Sequence, residues 1–135
     1  KSKEYRENNK EYYSQYFRPD SRIIVLANGN SASATEVLIC AMKDYGTIYK
    51  LVGEPTFGKA VMQAYFEYQK KFGIYVTVAL LYSPVSNQTY NKTADKNYGF
   101  MPDEQVPYQK AGQPQYDPQF MKAVELLGAQ QPVEI

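Results

Sequence analysis

Two side chains in the stretch from Asn28 to Gln63 could together perform acyl-transfer chemistry. Ser33 lies in a run of small residues that ends a short apolar segment, and Lys59 follows a tight turn between Gly53 and Gly58. A serine hydroxyl becomes nucleophilic when an adjacent base takes its proton, and a neutral lysine amine can be that base. Gln63 could orient the amine by a hydrogen bond without adding charge. These residue types predict Ser33 as a nucleophile and Lys59 as its base.

The absence of histidine removes most other hydrolytic arrangements from consideration. None of the 135 residues is histidine, so neither a Ser-His-Asp nor a Cys-His arrangement can form within this chain. A zinc site built on imidazole is excluded for the same reason, and a single cysteine excludes a thiolate cluster. If the chain is a hydrolase on its own residues, its base must be Lys, Asp or Glu, or a carboxylate pair must act on water. The sequence predicts no cofactor and no metal.

Charge and hydropathy disfavour two classes of partner. Lys and Arg number 15 against 14 Asp and Glu, a net charge of +1, so there is no one-sign field to attract nucleic acid or an anionic membrane. No apolar run reaches the roughly 18 residues of a membrane span. The opening KSKEYRENNKEYY lacks the apolar core of a signal peptide. We expect a polar arm over residues 1–20, a folded body over 21–128, and a frayed tail over 129–135.

Ser33 is predicted to lie where a buried strand turns into a helix. The continuous apolar run Ile23–Ala27 is typical of a strand covered on both faces. Glu36 stands three residues after Ser33, as in a capping box, and Gly46 is expected to end the helix. The apolar stripe predicted for this helix consists of Val37, Leu38, Ala41, Met42 and Tyr45. Ser31 and Ser33 could also serve only as helix caps, which is a common role for serine.

Lys59 is predicted to begin the strand after the tight turn. Alternation places Lys59, Val61, Gln63 and Tyr65 on one face. A lysine acts as a base only if burial lowers its pKa, and Phe57 and Met62 are the apolar neighbours expected to do so. The alternative is a solvated lysine at a strand edge.

The remaining segments are interpreted mainly as scaffold. Residues 74–81 are apolar on both faces and predict a central strand. The polar segment Ser83–Asp103 is a long loop expected near the cleft. Asp117 is predicted to cap a last helix ended by Gly128. The predicted buried face of that helix consists of Phe120, Met121, Val124 and Leu127.

Three other chemically active side chains on or near the first helix have structural interpretations. Glu36 and Asp44 are eight residues apart, too far for a carboxylate pair, and are interpreted as a capping and a helix-end residue. Cys40 is expected to be a core thiol. No partner for Asp103 is visible in the sequence.

The two motifs resemble those of the carboxyl-terminal processing, or tail-specific, serine proteases. GNSASATEVLICAMKDYG is similar to the family's nucleophile motif, and VGEPTFGKAVMQ is similar to its lysine motif. The resemblance implies Ser33 as nucleophile, Lys59 as base, Gln63 as the residue orienting it, and the Ala34 N–H as one oxyanion donor. It extends over about residues 21–127.

The resemblance also implies a fold, partners and a location. The expected fold is α/β and clp/crotonase-like, here as the C-terminal part of a Ser/Lys protease domain with a mixed sheet and flanking helices. Expected partners are protein or peptide substrates, the PDZ and N-terminal parts of the same parent chain, and a homo-oligomer. The expected location is the bacterial cell envelope, periplasmic or extracellular, with a membrane-anchored parent allowed.

Two features depart from the family pattern. Ala60 stands where the family has glycine after the lysine, and nothing in residues 1–20 matches the upstream glycine-rich stretch that supplies a second oxyanion donor. We therefore expect this chain alone to be weakly active or inactive. Because one fold hosts many functions, the alternative is a peptide-binding or assembly module without turnover.

Overall fold

The structure is a computed structural model that describes residues 21–110 and 112–128. The predicted arm over residues 1–20 and the predicted tail over 129–135 lie outside the described residues. The strands are β1 (Ile24–Ala27), β2 (Lys50–Gly53), β3 (Val61–Tyr68), β4 (Phe72–Leu80) and β5 (Glu104–Gln105). The helices are α1 (Ala34–Asp44), a 3-10 turn (Pro114–Tyr116) and α2 (Pro118–Leu127).

A three-stranded parallel sheet holds the start of α1 in place. Its order is β1-β2-β5, and Ala27 at the end of β1 pairs with Gly53 at the end of β2. Parallel neighbours need a crossover connection, and α1 lies in the crossover between β1 and β2. The expectation that β1 is covered on both faces is not met within the described residues, because Leu26 is 38% exposed.

The second sheet is an antiparallel ribbon of two strands, β3 and β4. The prediction that residues 74–81 form a central strand is wrong, because β4 pairs only with β3 among the described strands. Large side chains on both strands are exposed, including Phe66 at 53% and Tyr75 at 71%. The apolar pattern of residues 74–81 therefore belongs to a ribbon whose faces are not covered by the described residues.

Helix α1 buries a different face from the predicted one. Its buried residues are Glu36, Ile39 and Cys40, whereas Val37 and Leu38 of the predicted stripe are 44% and 59% exposed. Ile39 packs in a core cluster with Ala27 and Leu51. Cys40 belongs to a second cluster, with Ala60 and Tyr90, which confirms it as a core thiol. The helix is thus turned so that a carboxylate, rather than its most apolar stripe, faces inward.

Helix α2 begins and ends as the sequence predicts. The Asp117 carboxylate accepts the Gln119 and Phe120 N–H groups, and Pro118 occupies the first helical position. Gly128 takes the left-handed conformation, with φ 69°, that ends a helix. The residues of α2 that are fully buried are Gln119 and Ala123; the four predicted core residues are half-buried. No helix within the described ranges is long and apolar enough to span a membrane.

Candidate active site

Ser33 is held in a backbone conformation that a residue with a side chain rarely adopts. Its φ is 55° and its ψ is −115°, within the region that favours glycine. The turn is closed by the Thr35 N–H, which donates to the Ala32 carbonyl at 3.2 Å. Strained residues cluster at functional sites, so the conformation marks Ser33 as more than an ordinary cap.

The backbone N–H of Ala34, at the same place, has no hydrogen-bond acceptor among the described residues. Ala34 is the first residue of α1, and the first N–H groups of a helix have no intrahelical partner. Because the positive end of the helix dipole lies here, the N–H is suited to an oxyanion.

The buried carboxylate of Glu36 joins the turn at Ser33 to the turn before Lys59. Its Oε2 accepts the Ser33 N–H at 3.1 Å and the Lys59 N–H at 2.8 Å. Its Oε1 accepts the Thr56 hydroxyl at 2.6 Å and the Gly58 N–H at 2.7 Å. Glu36 is 0% exposed, and four donors balance the cost of burying it. The capping prediction captured only the bond to Ser33.

The long loop before β5 fixes the backbone on both sides of Lys59. The Lys92 N–H donates to the Gly58 carbonyl at 2.9 Å, and the Asn91 side-chain oxygen accepts the Ala60 N–H at 3.0 Å. Ala60 also accepts the Leu81 N–H at 2.7 Å. The loop therefore positions the lysine-bearing segment. Nothing in the sequence around Asn91 signals this role, because the contact joins residues 31 positions apart.

One cavity brings the sequence-predicted residues together. Ser33, Ala34, Lys59 and Gln63 all line a space of about 470 Å³. The other lining residues are Val37, Val61, Met62, Tyr75 and Leu81. Lys59 is half-buried, and within the described part of the chain its amine has neither an ion pair nor a hydrogen-bond acceptor. Ser33 thus lines the same cavity as an amine that has no partner among the described residues.

The residues of β3 that line this cavity do not follow the strict alternation that the sequence predicts. The pairing of β3 with β4 is irregular between Met62 and Gln63, where Met62 opposes Ala79 and Gln63 opposes Thr77. Bulges re-aim side chains, and both Met62 and Gln63 line the cavity. Tyr65, predicted on the same face as Lys59, stacks near Tyr75 with ring centroids 5.0 Å apart and is absent from the lining.

The predicted apolar cover of Lys59 is only partly present. Met62 lines the shared cavity but is 53% exposed. Phe57 is outside that lining and is 42% exposed. The amine of Lys92 lies 3.7 Å from the Phe57 ring centroid, which is a cation–π contact. Phe57 therefore packs with a different lysine from the one expected.

Cys40 and Asp103 have structural partners. Burial raises the pKa of the Cys40 thiol, with a further increase from Asp44, and the thiol donates to Asp44 at 3.6 Å. Asp103, which had no visible partner in the sequence, accepts the Leu51 N–H at 2.7 Å and pairs with Lys43 at 3.3 Å. No three His, Cys, Asp or Glu side chains among residues 21–110 and 112–128 converge as metal ligands would.

Comparison with known sequences identifies related proteins. Residues 1–106 match the model of Peptidase family S41. A carboxyl-terminal-processing protease of Picosynechococcus sp. is 38% identical over 129 residues, which are 91% of this chain and 30% of that protein. One of Synechocystis sp. is 40% identical over 87 residues, which are 64% of this chain and 19% of that protein. This chain thus spans less than a third of either relative.

Comparison with solved structures supports the predicted fold class. The photosystem II D1 C-terminal processing protease is 34% identical with a TM-score of 0.54, over 65% of this chain and 21% of that one. The tricorn protease, at 21% identity and a TM-score of 0.53 over 79% of this chain and 10% of that one, shares the fold. The clp/crotonase-like α/β fold is confirmed, with parallel and antiparallel sheets beside helices.

Proposed function

Because this chain belongs to peptidase family S41, we propose that it supplies the nucleophile and base of a serine endopeptidase that cleaves proteins near their carboxyl-terminal tails. The observation that carries the proposal is the single cavity lined by Ser33, Ala34, Lys59 and Gln63. The relatives named carboxyl-terminal-processing proteases support the substrate class. Substrate and activity are proposed for the complete protein.

The proposed reaction proceeds through an acyl-enzyme. The Ser33 oxygen attacks the scissile carbonyl carbon while the Lys59 amine takes the hydroxyl proton. The carbonyl oxygen becomes an oxyanion, to which the Ala34 N–H donates. When the carbon–nitrogen bond breaks, the Lys59 ammonium returns the proton to the leaving amine. A water molecule then hydrolyses the Ser33 ester, with Lys59 again acting as base.

Three features of the described residues favour this assignment over that of a simple helix cap. Ser33 has a strained backbone, which a cap does not require. Glu36 holds the Ser33 and Lys59 backbones with one carboxylate, so the two turns are fixed relative to each other. The Lys59 amine lacks a carboxylate partner among the described residues, and such a partner would favour its charged form.

Gln63 and Ala34 complete the proposed machinery from this chain. The Gln63 amide orients the Lys59 amine by hydrogen bonding, without adding a charge that would hold the ammonium form. By resemblance, a second oxyanion donor and a PDZ domain come from other parts of the parent protein. We therefore expect the 135-residue chain alone to be weakly active or inactive.

The test is cleavage of a protein substrate by the complete gene product. Ser33→Ala and Lys59→Ala are each expected to lower kcat/KM at least about a thousandfold, because each removes a group that acts in the chemical step. Ser31→Ala and Lys70→Ala are the matched controls, since Ser31 lies in the same small-residue run and Lys70 lies at the tip of the β3–β4 ribbon. Retained cleavage by either test variant removes that residue from the mechanism.

Covalent labelling separates the enzyme from a non-catalytic module. A fluorophosphonate is expected to label the complete protein at Ser33 alone, and Lys59→Ala is expected to slow the labelling. Tight peptide binding by a protein whose Ser33 resists the reagent would instead identify a peptide-binding module.

A further inference from the structure

The backbone of Lys59 is held by hydrogen bonds to its two flanking peptide groups and not by a sheet. Strand β3 begins at Val61, so its ladder with β4 does not include Lys59. The peptide group before Lys59 is held twice. Its N–H donates to the Glu36 carboxylate at 2.8 Å, and its carbonyl, that of Gly58, accepts the Lys92 N–H at 2.9 Å. Because a peptide group is planar, these two bonds fix the backbone on that side of Lys59.

The peptide group after Lys59 depends on one side chain. Its N–H is that of Ala60, which donates to the Asn91 side-chain oxygen at 3.0 Å. Among the described residues no other hydrogen bond reaches this peptide group. Two successive peptide planes together set φ and ψ of the residue between them, and with them the direction in which its side chain leaves the backbone. Asn91 therefore completes the contacts that aim the Lys59 side chain.

The Asn91 amide is itself held so that its oxygen faces Ala60. Its nitrogen donates to the Lys92 carbonyl at 3.2 Å, and the Asn91 backbone N–H donates to the Thr89 hydroxyl at 3.1 Å. The preceding side chain, that of Tyr90, is 5% exposed and packs in one buried cluster with Ala60. With its nitrogen engaged, the amide presents its oxygen as the acceptor. The acceptor is thus in place before any substrate binds.

We propose that Asn91 is a positioning residue for Lys59, the proposed base. The inference rests on the proposed peptidase function. Lys59 and Ser33 line the same cavity, whereas Asn91 does not line it, so Asn91 acts through the lysine backbone. A base takes a proton only within hydrogen-bond reach of the group that carries it, and small displacements cost large factors in rate. Loss of the bond to Ala60 should therefore slow the chemical step and leave substrate binding intact.

The test compares three substitutions of Asn91 in the complete gene product. Asn91→Leu keeps a similar size without an acceptor, Asn91→Ala removes the acceptor together with most of the side chain, and Asn91→Asp keeps an acceptor oxygen. Asn91→Leu and Asn91→Ala are each expected to lower kcat at least about tenfold, with KM changed less than about twofold. Asn91→Asp should remain closer to the parent than to Asn91→Ala. If Asn91→Leu does not fold, the comparison of Asn91→Ala with Asn91→Asp decides.

Site titration separates positioning from a general loss of folding. The value of kcat is calculated per site that a fluorophosphonate labels to completion, because unfolded protein is not expected to react. A purely structural role would lower the number of labelled sites and leave kcat per labelled site unchanged. Asn97→Leu is the matched control, since Asn97 is an exposed residue of the same loop. It should keep both the number of labelled sites and the kcat of the parent.

Two results overturn the positioning role alone. One is a kcat per labelled site that Asn91→Leu and Asn91→Ala leave unchanged. The other is an equal fall in Asn91→Ala and Asn91→Asp, which would show that the acceptor oxygen is not what matters. In both cases the peptidase function stands. A complete parent protein that neither cleaves a protein substrate nor reacts with the fluorophosphonate would instead overturn the peptidase function, and the positioning role with it.

Discussion

The carboxylate of Glu36 accepts the backbone N–H of Lys59 at 2.8 Å. The same carboxylate oxygen accepts the Ser33 N–H at 3.1 Å, so one buried side chain sets the separation of two backbone segments that line the cavity. Small displacements of reacting groups cost large factors in rate. Both the stability of the fold and the rate of the proposed reaction should therefore depend on Glu36.

Glu36→Gln should destabilise the protein although the two side chains have the same shape. Four donors point at the carboxylate, and a glutamine presents its own NH₂ to some of them. We expect the free energy of unfolding to fall by about 3 kcal/mol, because buried donors are left without acceptors. Urea denaturation of the chain measures this change, and cleavage by the complete gene product should fall as well.

The control is Glu125→Gln, whose side chain is 67% exposed. It should change the free energy of unfolding by less than about 0.5 kcal/mol. A Glu36→Gln protein as stable as the parent would show that the network does not hold the two turns.

The strain at Ser33 should be measurable by comparing two substitutions that both remove the hydroxyl. Ser33→Ala keeps a Cβ at φ 55°, whereas Ser33→Gly removes it. We expect the glycine variant to unfold with a free energy about 1 kcal/mol higher than the alanine variant, because the relief of strain exceeds the entropic cost of glycine. Both variants should be inactive.

Thr35 provides the matched pair for this comparison. It lies inside α1, where glycine should be less stable than alanine by about 1 kcal/mol. If the alanine variant is more stable than the glycine variant at Ser33, as expected at Thr35, the strained conformation carries no measurable energy.

The sequence predicted the features that local rules control. Helix α2 lies between its Asp117 cap and Gly128 because a carboxylate can accept N–H groups two and three residues ahead and glycine adopts positive φ. The strand–turn–helix around Ser33 and the tight turn before Lys59 follow from similar short-range rules. The pairing of Ser33 with Lys59 was expected from the family resemblance, because short-range rules do not bring two distant motifs together.

Burial was predicted less well because it depends on distant partners. The apolar stripe of α1 was expected to face the core, but Glu36 is buried there instead. Its burial was not predicted because its partners Thr56, Gly58 and Lys59 lie more than 19 residues away in the sequence. The β4 pattern suggested a central strand, but periodicity cannot say which strands are available to flank it. The hydrogen bond between Asn91 and Ala60 was not predicted, because it also joins residues far apart in the sequence.

Gly99→Ala should disrupt the site without changing charge. A Cβ at Gly99 would lie 2.1 Å from the Glu36 Oε1 and 2.7 Å from the Thr56 hydroxyl oxygen, too close for either atom to remain in place. We expect a loss of at least about 2 kcal/mol in the free energy of unfolding, measured by urea denaturation. Gly112→Ala is the control, because no atom of the described residues beyond its chain neighbours lies within 4 Å of its added Cβ. Equal stability of the two variants would contradict the packing around Gly99.

Asp103 should make the stability of the protein depend on pH in the acid range. Burial acts to raise the pKa of Asp103, but the Leu51 N–H and the charges of Lys43 and Lys50 outweigh it and leave the pKa below its usual value. Because the folded pKa is lower than the unfolded one of about 3.9, the ionised carboxylate stabilises the fold above that pH. The contribution disappears as the pH falls through the folded pKa.

The measurement is the difference in unfolding free energy between the parent chain and Asp103→Asn, taken across pH. The difference should be constant above about pH 5 and narrow on acidification below about pH 4, since protonation removes from the parent the charge that asparagine lacks. Asp95→Asn, at an exposed loop position, should show no comparable narrowing. A gap for Asp103→Asn that stays constant down to about pH 2 would show that neither the Leu51 N–H nor the lysine charges favour the ionised carboxylate in the folded protein.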